Sequence, residues 1–403
     1  MKAFKLPSIF VVPFFALLSP LSATPSAFPD GIPFDIPGAR LPDDTRGAVV
    51  LPPALAPEPE PNENSSSDHS GGNELAVRLA NDLTSSLDSG DIEAIGEILY
   101  EVLYKFPGDP SVLLVKLNIA GIRSPSVQYL LARSFLRSGC RREEAVAMLR
   151  LITTHPERLP HSGSNDLRLD AANLLLDHEI VAASDEIWRL YRETFENKLL
   201  IGLAWMGDPR PRDVVAEKMR TPNEAYHNAE LLGLLKIAEA AAPIDKILKF
   251  REDHNAHPDP AHIQAKWAMY QITGEKEHFD YLLKNYRQSP ALALIARTSH
   301  PEVNQLLNKI LLEDQTHIAS AAFVGLYTRD PESKEVRDVV LRFFEDNRRN
   351  PGIGIDLILR VAAHLNDPVI TEKGLELDAR QELQSFRYWH NRRNWPVLRS
   401  EFL

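Results

Sequence analysis

Apolar residues recur at helical spacing through most of this chain, and one stretch shows the repeating unit in full. Ile318, Ala321, Ala322, Gly325 and Leu326 fall at i, i+3, i+4, i+7 and i+8, which is one face of a helix. Asp330-Pro331 follows, a pair suited to an N-cap and a first helical position. Val336, Val339, Val340, Phe343 and Phe344 then repeat the spacing. The stretch from His317 to Asn347 therefore predicts a helix, a tight turn and a second helix. A lone pair buries its apolar stripes only in part, so the unit has to stack on copies of itself.

Copies are present. Six eight-residue stretches align as the end of a first helix plus its turn: Gly202–Pro209, Lys236–Pro243, Ala268–Glu275, Leu294–Pro301, Val324–Pro331 and Val361–Pro368. Their third positions are Ala204, Ala238, Tyr270, Ala296, Leu326 and Ala363, where Ala lets a neighbouring backbone approach closely; in the fifth copy the small residue is Gly325. The last position is Pro in five of the six, at intervals of about 26–37 residues, as in helix-pair repeats with variable loops. The pattern resembles the HEAT-like repeats of bilin lyases and many other bacterial proteins. Gly202-Leu203-Ala204, Met206-Gly207-Asp208-Pro209 and Ala321-Ala322 with Asp330-Pro331 carry the likeness best. It extends over roughly half the chain. The resemblance implies an architecture, and it implies no bilin chemistry and no catalytic residue.

Upstream, Leu75, Leu79, Leu83 and Leu87 mark a helix ending at Gly90, and Ile92, Ile95, Ile98, Leu99, Val102 and Leu103 mark another that stops before Pro107. Val112–Ile119 reads as a short apolar helix or strand. Tyr129, Ala132 and Leu136 precede Gly139, and Ala145, Leu149 and Ile152 lead to Pro156. With Ala145, Leu149 and Pro156 at the expected offsets, this region resembles the tetratricopeptide repeat, although the Trp and Gly of that repeat's first helix are missing. Residues 165–198 add a further helix pair.

The N-terminus has a different character. Lys2 and Lys5 precede an apolar run from Ile9 to Leu18, and Ser22-Ala23 offers a cleavage site, which reads as a secretory signal over residues 1–23. The alternative is an uncleaved anchor, but the run is short for a membrane span of about 20 residues. Residues 24–73 are proline-rich, acidic and polar, and read as an extended linker. Phe28-Pro29 and Ile32-Pro33-Phe34 within it are candidate docking motifs.

Composition narrows the function classes. The chain has 403 residues, 44% of them hydrophobic, enough for a core, and a formal charge of -11. The charge disfavours a nucleic-acid partner. The single cysteine, Cys140, excludes an intramolecular disulfide and a cysteine metal cluster; Arg141 and Arg142 beside it would favour a thiolate, and a plain turn residue is the other reading. The densest group of ligand-type residues is Asp253, His254, His257, Asp259 and His262, a set that can bind zinc or another divalent ion. Pro258 and Pro260 interrupt it, and no two of its histidines sit one helical turn apart as in a helical zinc motif. The opposing reading is a polar inter-repeat loop. The tail from residue 379 mixes Arg387, Arg392 and Arg393 with Trp389 and Trp395. It reads either as a cap over the last repeat, arginines solvated and aromatics inward, or as a site for an acidic glycan, lipid headgroup or peptide carboxylate.

These observations predict an all-α protein, a solenoid of stacked helical hairpins. Its segments are a signal (1–23), a linker (24–73), tetratricopeptide-like helices (74–160), HEAT-like repeats (161–378) and a basic aromatic cap (379–403). The expected function is a non-catalytic protein–protein scaffold, secreted or periplasmic, with no cofactor and no transmembrane span after signal removal. The alternatives are a metal-dependent enzyme or accessory factor using residues 253–262, and envelope or glycan binding through the tail.

Overall fold

In the computed structural model the described residues are 69–159, 166–254, 258–288, 290–313, 317–345, 354–380 and 385–397, with backbone alone for 69–73 and 317. The expected signal, most of the expected linker with its Phe28–Phe34 motifs, and His257 lie outside them. Among the described residues there are 21 α-helices and no β-strand. The protein is all-α.

The first helices follow the leucine stripe. α1 (His69–Ser89) buries Leu79 and Leu83 and ends at Gly90 in the left-handed region. It begins five residues before Glu74, because the polar residues 69–73 carry no apolar periodicity to announce the turn they form. α2 (Ile92–Tyr100) is capped by Asp91, whose side chain accepts from the Ala94 amide, and it continues as one π turn over Glu101–Lys105. The short apolar stretch at 112–119 resolves as a helix, α3 (Ser111–Leu114). α4 (Pro125–Ser138) and α5 (Arg142–Thr153) pack as a hairpin around Gly139.

The next hairpin is α6 (Leu167–Asp177) with α7 (Ser184–Thr194), and α5 packs directly on α6. Among the described residues one hydrophobic core includes side chains from Leu79 to Trp395. Then come α8 (Asn197–Trp205), α9 (Val215–Lys218), α10 (Pro222–His227), α11 (Ala229–Leu234) and α12 (Ala241–Asp253). α13 (Pro260–Thr273), α14 (Lys276–Lys284), α15 (Ala291–Ala296), α16 (Glu302–Glu313), α17 (His317–Arg329) and α18 (Lys334–Glu345) continue the series. α19 (Ile355–His364), α20 (Pro368–Ala379) and α21 (Phe386–His390) complete it.

Packing is between neighbours. α2, α4, α6, α8, α11, α13, α15 and α17 each touch the next, α5, α7, α12, α14, α16 and α18 flank them, and α20 packs on α18 and α19. Burial of each stripe against adjacent hairpins is what a solenoid-like row requires.

Two repeat positions differ from expectation. Lys236 to Pro243 is not a helix end: α11 stops at Leu234, Lys236 is left-handed, Ala238 is exposed in a 3-10 turn, and Pro243 lies inside α12. The close backbone approach is made instead by Gly233. A Cβ there would stand 2.7 Å from the Cα of Ala268. Asp330-Pro331 is likewise a turn ahead of α18 and not its cap. Asp330 accepts from the Glu332 amide, and Ser333 accepts from the Val336 amide at the helix start. At Asp367-Pro368 the expected arrangement holds, since Asp367 accepts from the Val369 and Ile370 amides with Pro368 opening α20.

Candidate functional site

The residues singled out in the C-terminal tail meet the first helices. A helix leaves its last four carbonyls without intrahelical donors and carries partial negative charge at that end. The π turn after α2 ends at Lys105, so its last carbonyls, Leu103 and Tyr104 among them, need partners, as do those of Phe106 and Pro107 just beyond it. The tail supplies them. Arg392 donates from Nε to the Leu103 carbonyl at 3.1 Å and from Nη2 to the Phe106 carbonyl. Tyr388 donates its hydroxyl to the Tyr104 carbonyl at 3.4 Å, and Asn391 donates Nδ2 to the Pro107 carbonyl at 2.9 Å. Arg392 is 1% exposed. Its buried charge is met by backbone dipoles, by the Tyr388 carbonyl at 3.1 Å and by the Tyr388 ring, 3.6 Å from the guanidinium carbon.

The same tail is fastened to α19. His364 Nδ1 donates to the Arg393 carbonyl at 3.0 Å, Arg360 donates to the Pro396 carbonyl, and Trp389 Nε1 reaches Asp356 at 3.4 Å. Phe386 is fully buried and meets Phe344 edge-on at 5.6 Å. Trp395 is 1% exposed, edge-on to Tyr104 at 5.7 Å and to Trp389 at 6.0 Å, with Arg137 5.4 Å from its ring. Gly139, left-handed after α4, lies under the Asn394 carbonyl. Residues 386–397 therefore clasp the beginning of the helical row to its end.

Of the five tail residues named from sequence, the structure brings Trp389, Arg392 and Trp395 together. Arg387 and Arg393 are exposed, Arg387 beside Asp378 at 3.6 Å. The expectation that the cap's arginines are solvated fails at Arg392, because the orphan carbonyls of a distant helix end take its donors. Tyr100, Tyr104 and Gly139 complete the arrangement and were not among the candidates. Their signal was present: Tyr100 and Tyr104 stand four apart and off the buried stripe of Ile95, Leu99, Val102 and Leu103.

The described members of the 253–262 group face separate partners. His254 is exposed, its Nδ1 2.7 Å from the Phe250 carbonyl and its ring 4.2 Å from that of Phe250. Asp259 caps α13, accepting from the His262 amide at 2.8 Å, and its other oxygen takes Arg251 at 2.8 Å. His262 is buried on α13 beside the Tyr281 ring. Among the described residues the convergent ligand-type set is Glu275, Glu277 and His278, whose ligand atoms lie within 4.8 Å of one another. Its sequence signal is the Glu-Lys-Glu-His run of Glu275, Lys276, Glu277 and His278, where the two acids flank the helix start with the imidazole on the inward side. Burial, reinforced by Lys266, holds both His262 and His278 below the usual imidazole range.

Cys140 is buried, with Sγ 3.1 Å from Ser138 Oγ, and burial pushes its thiol up in spite of Arg141. That arrangement disfavours a thiolate. Trp267 is core and donates Nε1 to Thr298 at 2.9 Å, while Trp188, Trp205 and Tyr270 pack at the core's edge.

No helix among the described residues is long and apolar enough to cross a membrane. Comparisons with protein-family models, with curated proteins and with solved structures found no match to this chain.

Proposed function

We propose that this chain is a non-catalytic protein-interaction scaffold, exported from the cytoplasm, whose helical hairpins are divergent tetratricopeptide-like and HEAT-like repeats. The observation that supports it most is the row itself, in which consecutive hairpins pack against one another in two layers. Rows of this kind present long binding surfaces on which a few aromatic or Arg anchors dominate. Exposed apolar side chains at Leu151 (60%), Phe195 (64%) and Leu312 (70%) supply such anchors on α5, after α7 and on α16. The lysine start and apolar run of residues 1–18 support export, and the proline-rich stretch suits a tether.

Chemical crosslinking of the chain in its native cell envelope, followed by mass spectrometry, tests this reading. One dominant crosslinked protein, lost when Phe195 or Leu312 becomes Glu, is the expected result. Absence of any enriched protein, under conditions that trap a known envelope pair, contradicts it.

A further inference from the structure

Glu275, Glu277 and His278 converge where α14 begins. Glu275 stands at the N-cap and His278 three residues on, and side chains at those two positions meet at a helix start. Glu275 makes no side-chain bond to the helix amides. Its Oε2 lies instead 3.3 Å from His278 Nε2, and Glu277 Oε1 lies 3.8 Å from the same nitrogen. Ligands held tetrahedrally at zinc distances of about 2.0–2.1 Å stand about 3.4 Å apart. The three ligand atoms here lie within 4.8 Å of one another, and both glutamates are exposed, so small rotations of their side chains close the set around one ion.

His278 makes this more than a pair of surface acids. It is 3% exposed, and its Nδ1 has no hydrogen-bond partner. A neutral imidazole carries a single ring proton. With that proton on Nε2, a lone pair is buried unmet at Nδ1. With it on Nδ1, a lone pair at Nε2 faces two carboxylates. A divalent cation resolves the second arrangement, because it takes the lone pair and both carboxylates together. Burial and the nearby Lys266 favour the neutral ring, which is the form that binds metal.

The surrounding cations are engaged by other acids. Lys266 pairs with Glu252 at 2.5 Å, Lys249 with Asp245 at 2.6 Å, and Lys276 with Glu302 at 3.2 Å and Asp280 at 3.9 Å. Among the described residues, Glu275 and Glu277 have His278 as their ion-pair partner and no lysine or arginine. Two carboxylates with one imidazole suit zinc and its neighbours among the transition ions, whereas calcium and magnesium favour oxygen alone.

We propose that Glu275, Glu277 and His278 form a binding site for a divalent transition ion of the zinc class, with water completing its shell. The site lies outside residues 253–262 and stands apart from the scaffold reading, so loss of either leaves the other in place.

The test is calorimetric titration of zinc chloride into the tag-free full chain, stripped beforehand with a chelator. A single site should fill at micromolar zinc. Glu277→Gln should weaken it at least about tenfold, since even an outer partner of a metal ligand costs that much. Glu277 is exposed, so circular dichroism should show the variant folded. Glu302→Gln, which removes a partner of Lys276, and His254→Ala with His257→Ala should leave the affinity unchanged. Zinc should also raise the urea midpoint of the unsubstituted chain and leave that of Glu277→Gln where it was. The opposing role is electrostatic: the two acids merely favour the positive end of α14. In that case Glu277→Gln lowers stability equally with and without zinc, which would overturn the proposal. So would no zinc uptake, or uptake that survives Glu277→Gln and is lost with His254→Ala and His257→Ala.

Discussion

Arg392 donates to the backbone carbonyl of Leu103 at 3.1 Å across 289 positions of sequence. A side chain near the C-terminus thereby caps a helix near the start of the row, and the requirement it meets is general: the last carbonyls of a helix must find donors. Arg392→Ala removes donors to Leu103, Phe106 and Tyr388 together. Charge-assisted bonds of this kind contribute about 1.5–3 kcal/mol each in the clearest cases, and several lost together should lower stability by roughly 3–5 kcal/mol. Arg392→Lys should recover little, because an ammonium cannot reproduce the guanidinium fork. Urea unfolding followed by circular dichroism measures both.

Gly139 and Gly90 make a matched pair. Both are left-handed, at φ 70° and 72°, but nothing lies within 4 Å of a Cβ at Gly90, whereas one at Gly139 would stand 2.3 Å from the Asn394 carbonyl oxygen. Gly90→Ala should cost about 1–2 kcal/mol, the left-handed penalty alone. Gly139→Ala should cost about 1–3 kcal/mol more, because the tail has to move. Equal losses for the two variants would mean that residue 394 does not rest on Gly139 in solution.

Gly233 tests the packing between hairpins. Gly233→Ala places a Cβ against the Cα of Ala268 and the ring of Trp267. Backbone cannot yield as a flexible side chain can, so the substitution should destabilise by about 1–3 kcal/mol. Gly354→Ala, with open space around its Cβ, is the control and should be near neutral.

Stability should fall as the solution is acidified from pH 7.5 to 5. Burial lowers the pKa of His262, His278, His364 and His390 in the folded state. The unfolded chain then binds more protons below the ordinary imidazole value of about 6.5, so stability is complete above that pH and declines below it until the folded values are passed. Around His262 and His278 the opposing charges are Lys266 and Arg251 on one side and Glu252, Asp259, Glu275 and Glu277 on the other. Around His364 and His390 they are Arg360 and Arg393. Urea midpoints across this range should shift downward, and His278→Asn with His364→Asn should flatten the profile. A midpoint that rises on acidification contradicts the burial of these rings.

The helical class was legible because stripes such as Val336, Val339, Val340, Phe343 and Phe344 are set by local spacing, and all five are buried where the spacing puts them. Helix starts were legible where a cap is local, as at Asp367-Pro368, and misread at Asp330-Pro331, where Ser333 three residues on is equally able to cap. The tail was legible as an aromatic, arginine-rich segment. Its contacts were not, because Arg392 and Leu103 share no periodicity or motif and meet only once the row is built. The buried state of His262 was hidden for a related reason: its neighbours in sequence are polar and proline-rich, and the ring that covers it is Tyr281 of the next helix.

The joining of the two ends is tested most directly by disulfide trapping. Asn391 Nδ2 stands 2.9 Å from the Pro107 carbonyl. A Pro107→Cys, Asn391→Cys double variant in a Cys140→Ser background should form its crosslink rapidly and nearly completely under mild oxidation of the folded protein. The crosslinked product should be monomeric, and the reaction should slow sharply in urea or when Arg392→Ala is added. A folded, fully helical double variant whose thiols stay free, or pair only between molecules, would contradict the closure of the helical row by its C-terminal tail.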